Sequence, residues 1–119
     1  MPDTQKNFYK KFLGRSGETL AVNFLKKQKY KILKTNFTCT VGEVDIIASK
    51  DGAIVFVEVK TRNSSKYGRP CEAVNSAKQN KYRNMAGLYL QREGLENAFV
   101  RFDVIEILDG EINHIENAF

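Results

Sequence analysis

Asp45, Glu58 and Lys60 are the residues whose types and spacing suggest chemistry. Glu58 and Lys60 close the run AIVFVEVKT, and side chains alternate across a strand, so these two share one face while Val57 and Val59 take the other. Both faces are otherwise apolar, which predicts a central, largely buried strand carrying a Glu and a Lys where an apolar residue would cost less. On the preceding run EVDIIAS, Asp45 is predicted to share a face with Glu43 and Ile47, with Val44 and Ile46 pointing the other way.

Between the two runs lies SKDG, whose Asp51-Gly52 is a hairpin turn signal. If Ser49 opposes Ile54 across a four-residue loop, Asp45 faces Glu58. If Ser49 opposes Gly52, Asp45 faces Phe56 and is a diagonal neighbour of Glu58. Either register puts the two acids within about 5 to 8 Å, measured between Cβ atoms. Two partly buried carboxylates that close repel and raise a pKa unless a cation lies between them. A divalent metal relieves the conflict, and oxygen-only ligation favours Mg²⁺ or Mn²⁺ over zinc.

A third acid, Glu18, precedes Ala21, Val22 and Leu25 by helical spacings, which puts it on or beside an apolar stripe. As a lone residue it reads as a helix N-terminal acid favoured by the macrodipole; next to a metal site it reads as a further ligand. Structural competitors exist for the others too. Glu58 and Lys60 could be an ion pair on an edge strand, and Asp45 a polar residue on a half-solvated sheet. An E-x-K tripeptide is weak by itself. Its weight comes from G-E-x-D, a turn, an apolar run ending in E-x-K at matched parity, and a basic loop after it.

The elements that must position these groups follow from periodicity. Leu20, Ala21, Phe24 and Leu25 predict a helix over about Ser16 to Gln28, with Ser16 as N-cap, and YKILKTNFTCT reads as a strand ending near Gly42. The polar stretch NSSKYGRP reads as an exposed loop. Asn75 to Arg92 reads as a second helix with Ala77, Tyr82, Met85, Ala86, Tyr89 and Leu90 as core positions. VRFDVIEIL is a strand that turns at Asp109-Gly110 into a short strand EINHI. Helix, three strands, helix, strand, strand predicts an α/β or α+β sheet with helices packed on it.

A chain of 119 residues with 42% hydrophobic content suffices for one core, and no linker, repeat or low-complexity stretch divides it. We expect one domain over 1–119: a core at about 16–108, a basic segment at 1–15, and a short strand and tail at 109–119. The N-terminus lacks the apolar run of a signal peptide and no stretch could cross a bilayer, so a soluble cytoplasmic protein is expected. Cys39 and Cys71 lack the spacing of a metal set and read as two reduced thiols. The sole histidine, His114, reads as a surface residue rather than a general base.

The net charge of +5 is directional. Residues 1–34 hold nine Lys or Arg against two acids, residues 35–83 eight against five, and residues 84–119 two against seven. Clustered cations attract polyanions and release their counterions, so nucleic acid leads as partner; a merely solubilising surface is the plain alternative.

The segments GETLAVNFL, GEVDIIA, VFVEVKTR and RFDVIEI resemble the YraN family of small bacterial proteins, in the right order and over roughly Ser16 to Leu108. That resemblance implies membership of the PD-(D/E)xK superfamily. It further implies an α/β, restriction-endonuclease-like fold with a central mixed sheet flanked by helices, similar to archaeal Holliday junction resolvases. Carried over by position, Asp45 matches the motif Asp, Glu58 and Lys60 its E-x-K, and Glu18 the acid of its first helix. Val44 stands where the motif's name has proline. Some relatives carry Gln and Tyr four apart on the helix after the site, whereas Gln79 and Tyr82 are three apart here.

The expected function is therefore metal-dependent endonucleolytic hydrolysis: Asp45 and Glu58 would hold Mg²⁺ or Mn²⁺, Glu18 would orient the metal's water shell or ligate a second ion, and Lys60 would position the attacking water or steady developing charge. Glu43 and Gln79 are secondary candidates. Lys10, Lys11, Arg15, Arg62, Lys66, Arg69, Lys78 and Lys81 would grip phosphates, which fixes position without reading sequence. Branched or single-stranded DNA suits such a grip better than a sequence-specific site does, and symmetric cutting of two strands would take a homodimer. The rival is a module of the same fold that binds nucleic acid or protein without cutting; RNA in place of DNA is a third possibility.

Overall fold

The computed structural model describes residues 17–62 and 74–119. Helix α1 runs over residues 17–27, followed by strands β1 (Lys31–Thr38), β2 (Glu43–Lys50) and β3 (Ala53–Arg62). Helix α2 (Ser76–Arg92) precedes β4 (Phe99–Leu108) and β5 (Glu111–Ile115). The strands form one sheet in the order β1-β2-β3-β4-β5, with β3 and β4 parallel and every other pair antiparallel. A parallel pair needs a crossover, which α2 supplies. This single α/β domain with a five-stranded mixed sheet is compatible with the restriction-endonuclease-like fold that the resemblance implies.

The two faces of the sheet have separate cores. On one, Ala21 and Leu25 of α1 pack with Ile46, Ala48, Val55, Val57, Ile105 and Ile107. On the other, Tyr82, Met85, Ala86, Tyr89 and Leu90 of α2 pack with Ile47, Ile54 and Phe56. The central strand β3 is covered on both sides, as its double apolar pattern requires. Of the helix positions expected in the core, Ala77 is the exception: it is exposed, one turn too near the helix start to reach the sheet. Asn75 caps α2 by accepting from the Lys78 N–H at 2.9 Å. Gly94, at φ +67°, closes its far end in the left-handed conformation, and the Leu95 N–H returns to the Leu90 carbonyl at 2.8 Å.

The β2–β3 hairpin adopts the first of the two registers considered, with Ser49 opposite Ile54. Pairing continues to Lys50 and Ala53, so only Asp51 and Gly52 form the turn, both at positive φ as a type I′ turn requires. Phe119 stacks on Phe102 with ring centroids 5.3 Å apart, so the chain beyond β5 packs onto the sheet.

His114 corrects the expectation of a surface residue. It is half-buried, with Nε2 2.6 Å from Oδ2 of the fully buried Asp103, and its ring meets Phe24 and Tyr30 edge-on. Pairing of β4 with β5 sets Ile105 opposite His114, and this register brings the ring onto the α1 side. Cys39 is a free thiol; Cys71, Ser16 and the NSSKYGRP loop lie outside the described residues.

Candidate functional site

The N-terminal ends of α1 and α2, the start of β2 and the end of β3 meet at one end of the sheet. There Glu18, Glu43 and Asp45 each offer a carboxylate oxygen, and these atoms lie within 4.8 Å of one another. Asp45 and Glu18 are half-buried and Glu43 is exposed, so the cluster is open to solvent on one side.

Asp45 reaches this cluster through a break in the β-sheet. The β1–β2 ladder pairs Thr35 with Ile46 and Phe37 with Val44, but skips Asn36 and Asp45 between them. Asn36 has φ +52°, a conformation that asparagine tolerates better than most residues. Val44 consequently packs in the α2 layer while Ile46, two residues on, packs in the α1 layer. The expected alternation is thereby corrected: Asp45 does not share a layer with Ile47 but joins Glu43 beside Glu18 of α1. Its Oδ2 accepts from the Val59 N–H at 2.8 Å, tying β2 to β3 where the ladder stops. Burial first, then the charges of Glu58, Glu18 and Glu43, push the Asp45 carboxyl up to about 7 against that hydrogen bond.

Glu58 lies nearby but outside the cluster, on the α2 face. Lys78 donates to its Oε1, Tyr82 donates to its Oε2, and Lys60 Nζ is 3.2 Å from Oε1. Burial would raise its carboxyl, but the hydrogen bonds from Lys78 and Tyr82, with the charges of Lys78 and Lys60, hold it below the usual range. Burial and the adjacent Glu58 raise the Tyr82 hydroxyl, which stays a donor. The expected pairing of Asp45 with Glu58 as metal ligands is therefore not the grouping found. The acids that converge mutually are Asp45, Glu43 and Glu18, while Glu58, whose charge also acts on Asp45, anchors two ammonium groups. Glu106, buried and in register with Lys60 on β4, adds a carboxylate to that strand pair.

Other expected residues disperse. Gln79 is turned toward its own helix start, with Nε2 donating to the Val74 carbonyl at 3.0 Å. Lys81 lies exposed one turn beyond Lys78 on α2, and half-buried Arg62 ends β3. Lys10, Lys11, Arg15, Lys66 and Arg69 lie outside the described residues. Helical spacing predicts Tyr82 only as core, and its spacing from Gln79 is the one signal of a polar role. Glu106 gave no signal, because its neighbour Lys60 belongs to another element.

Glu18 is seated by its neighbour. A methyl group at Gly17 would overlap the Thr61 hydroxyl and meet Thr61 Cβ at 3.5 Å and Ile107 at 3.7 Å. Only glycine allows α1 to approach β3 this closely. We expect Gly17→Ala to lower stability by about 1 to 3 kcal/mol in urea unfolding, the range for overpacking. Thr61→Ala should restore most of it, since the hydroxyl is removed while Cβ stays at contact distance. Equal loss in the single and double variants would show that the contact does not set the helix.

A family model described as "Uncharacterised protein family UPF0102" matches residues 17–107. The chain belongs to this family. A UPF0102 protein of Caldicellulosiruptor saccharolyticus is 49% identical over 116 residues, covering 92% of this chain and 98% of that protein. One from Alkaliphilus metalliredigens is 47% identical over 112 residues, covering 92% and 98%. Another from Clostridium perfringens is 47% identical over 117 residues, covering 93% and 96%. The UPF0102 match spans α1 through β4, the elements that carry Glu18, Glu43, Asp45, Glu58, Lys60, Lys78, Lys81 and Glu106.

Proposed function

We propose that this chain is a metal-dependent endonuclease that hydrolyses phosphodiester bonds of nucleic acid, with branched or single-stranded DNA as the favoured substrate. The observation that carries this reading is the convergence of Glu18, Glu43 and Asp45 beside two lysines that share one glutamate. Three oxygen donors this close fit Mg²⁺ or Mn²⁺ rather than zinc, and the pull of a divalent cation answers the strain shown by the raised Asp45 carboxyl. When bound, such an ion would polarise the scissile phosphate and make a neighbouring water more acidic.

The chain's own residues do the remainder. Asp45, Glu18 and Glu43 would hold the ion, and the Val59 N–H fixes the Asp45 carboxylate in place. Lys60, partly exposed and oriented by Glu58, faces the negative charge that grows on the phosphate. Lys78 is held by the same carboxylate, with Tyr82 closing the network from below. The basic residues of the N-terminal half add a salt-sensitive grip on backbone phosphates. Among the described residues no helix is long and apolar enough to cross a membrane. A homodimer would serve symmetric cutting of two strands.

The rival reading, a module that binds without cutting, is favoured by one observation: Glu58 is already satisfied by its three partners. A panel of single-stranded, nicked, branched and linear DNAs, with RNA counterparts, separates the two readings when incubated with Mg²⁺ or Mn²⁺. Wild type should cut at least one member, chelation should stop it, and Lys60→Ala should slow it by about a hundredfold or more. Binding without cleavage of any member would establish the rival; cleavage unaffected by Lys60→Ala would remove the lysine from the mechanism.

A further inference from the structure

Beside the acid cluster, on the α2 side, a groove of about 360 Å³ opens between the β1–β2 turn and the first turns of α2. Its lining divides by chemistry. Val41 and Met85 are apolar, Met85 being almost fully buried, while Lys78 and Lys81 supply positive charge and Glu43 of the acid cluster borders the groove. Lys78 is engaged by Glu58, but among the described residues Lys81 forms no ion pair, so its charge is available to a ligand. Ala77 contributes a small, exposed side chain to the lining, which leaves the groove open from solvent.

We propose that this groove binds one unpaired nucleotide of the strand held at the acid cluster, with its base against Val41 and Met85 and its phosphate on Lys81. The proposal rests on nucleic acid being the ligand of that cluster. The volume lies at the small end of the range for ligand pockets, about 300 to 1,000 Å³, which suits a single nucleoside. A base inside a duplex is covered by its stacked neighbours and its pairing partner, so only a splayed base can enter. A mixed lining of apolar floor and cationic rim matches a base joined to a phosphate better than it matches a purely apolar or purely anionic ligand. Selectivity for unpaired strands would then arise beside the bond to be cut, with no reading of base edges.

The test measures binding of the full chain, without metal, to a fluorescein-labelled single strand, a blunt duplex of the same sequence, and that duplex bearing one unpaired nucleotide. Wild type should favour the two ligands with unpaired nucleotides by about tenfold or more. Ala77→Trp fills the groove from an exposed helix position; it should abolish the preference while leaving duplex binding and melting temperature unchanged. Lys81→Ala should weaken the unpaired ligands more than the duplex. A preference that survives Ala77→Trp, or no preference in wild type, overturns the proposal. Preference lost in Ala77→Trp with no cleavage of any DNA would uphold the groove and sink the nuclease reading. Cleavage without preference would do the reverse.

Discussion

Replacing Asp45 with asparagine will stabilise the metal-free protein at pH 8 and disable it as a nuclease. The folded-state carboxyl titrates near 7 against 3.8 for an ordinary aspartate, chiefly because it is buried and then because Glu58, Glu18 and Glu43 surround it. A carboxyl raised on folding favours the folded state fully below 3.8, and that contribution is lost as pH rises through about 7. Wild type therefore weakens between about pH 4 and 7, whereas the asparagine variant has nothing to titrate there. At about 1.4 kcal/mol per pKa unit, and with a discount of about half for partial exposure, the gain at pH 8 is about 2 kcal/mol. Asparagine Oδ1 can still accept from the Val59 N–H, so the strand contact survives. Thermal melts in EDTA should show the variant roughly 5 to 10 °C above wild type at pH 8, and much closer at pH 5. Adding Mg²⁺ should raise the wild-type melt and leave the variant where it was. Cleavage by the variant should fall about a thousandfold. A variant that melts below wild type at pH 8 would mean that the acid cluster is not strained.

This exchange of stability for charge explains how much of the site is legible from the sequence. Element order, the hairpin and the central place of β3 follow from period, turn chemistry and β-branched runs, which are local properties. The grouping of acids is not local. Parity on β2 predicts Asp45 with Ile47, and the prediction fails because the β1–β2 ladder skips Asn36 and Asp45, which changes the side on which Val44 packs. Nothing in GEVDIIA signals that break; it depends on Asn36 taking a positive φ on another strand. Glu43 thereby rises from a secondary candidate to a member of the cluster, and Glu58 becomes the anchor of Lys60 and Lys78. Tyr82 shows the same limit. Its ring occupies a core position, as the helical spacing predicts, while its hydroxyl reaches Glu58 on a strand 24 residues away.

The Asp103 network should respond to substitution and pH in the opposite sense. Asp103 is fully buried, yet Arg101 donates to it from Nε and Nη2 at 2.9 Å, the Asn117 N–H at 3.0 Å, and His114 lies at 2.6 Å. Burial alone would raise its carboxyl, but these partners, His114 foremost, hold it below the usual range. A carboxyl lowered on folding stabilises above its unfolded value of 3.8, and the contribution is lost as pH falls through the depressed folded value. Arg101 extends the network by donating to the Tyr30 hydroxyl, and Tyr30 in turn donates to Glu116 at 3.2 Å, so β4, the residue before β1 and the segment beyond β5 are joined. Asp103→Asn keeps the shape, removes the charge, and turns a donor toward groups that already donate. Breaking a buried charged network in this way costs about 3 to 5 kcal/mol, a large share of a small domain's stability. Urea unfolding at pH 7 should register that loss, and the gap to wild type should narrow below pH 4. Replacing Asp103 by Leu together with Arg101 by Met should recover much of it, because no buried charge is then left unpaired and Glu116, which loses Arg101, is exposed. Asp103 is bonded on the α1 side to Arg101 and to segments around β5, not to the acids at the open end of the hairpin. The folded fraction of Asp103→Asn should therefore bind nucleic acid as wild type does, and a loss of under about 1 kcal/mol at pH 7 would show the network to be ornamental.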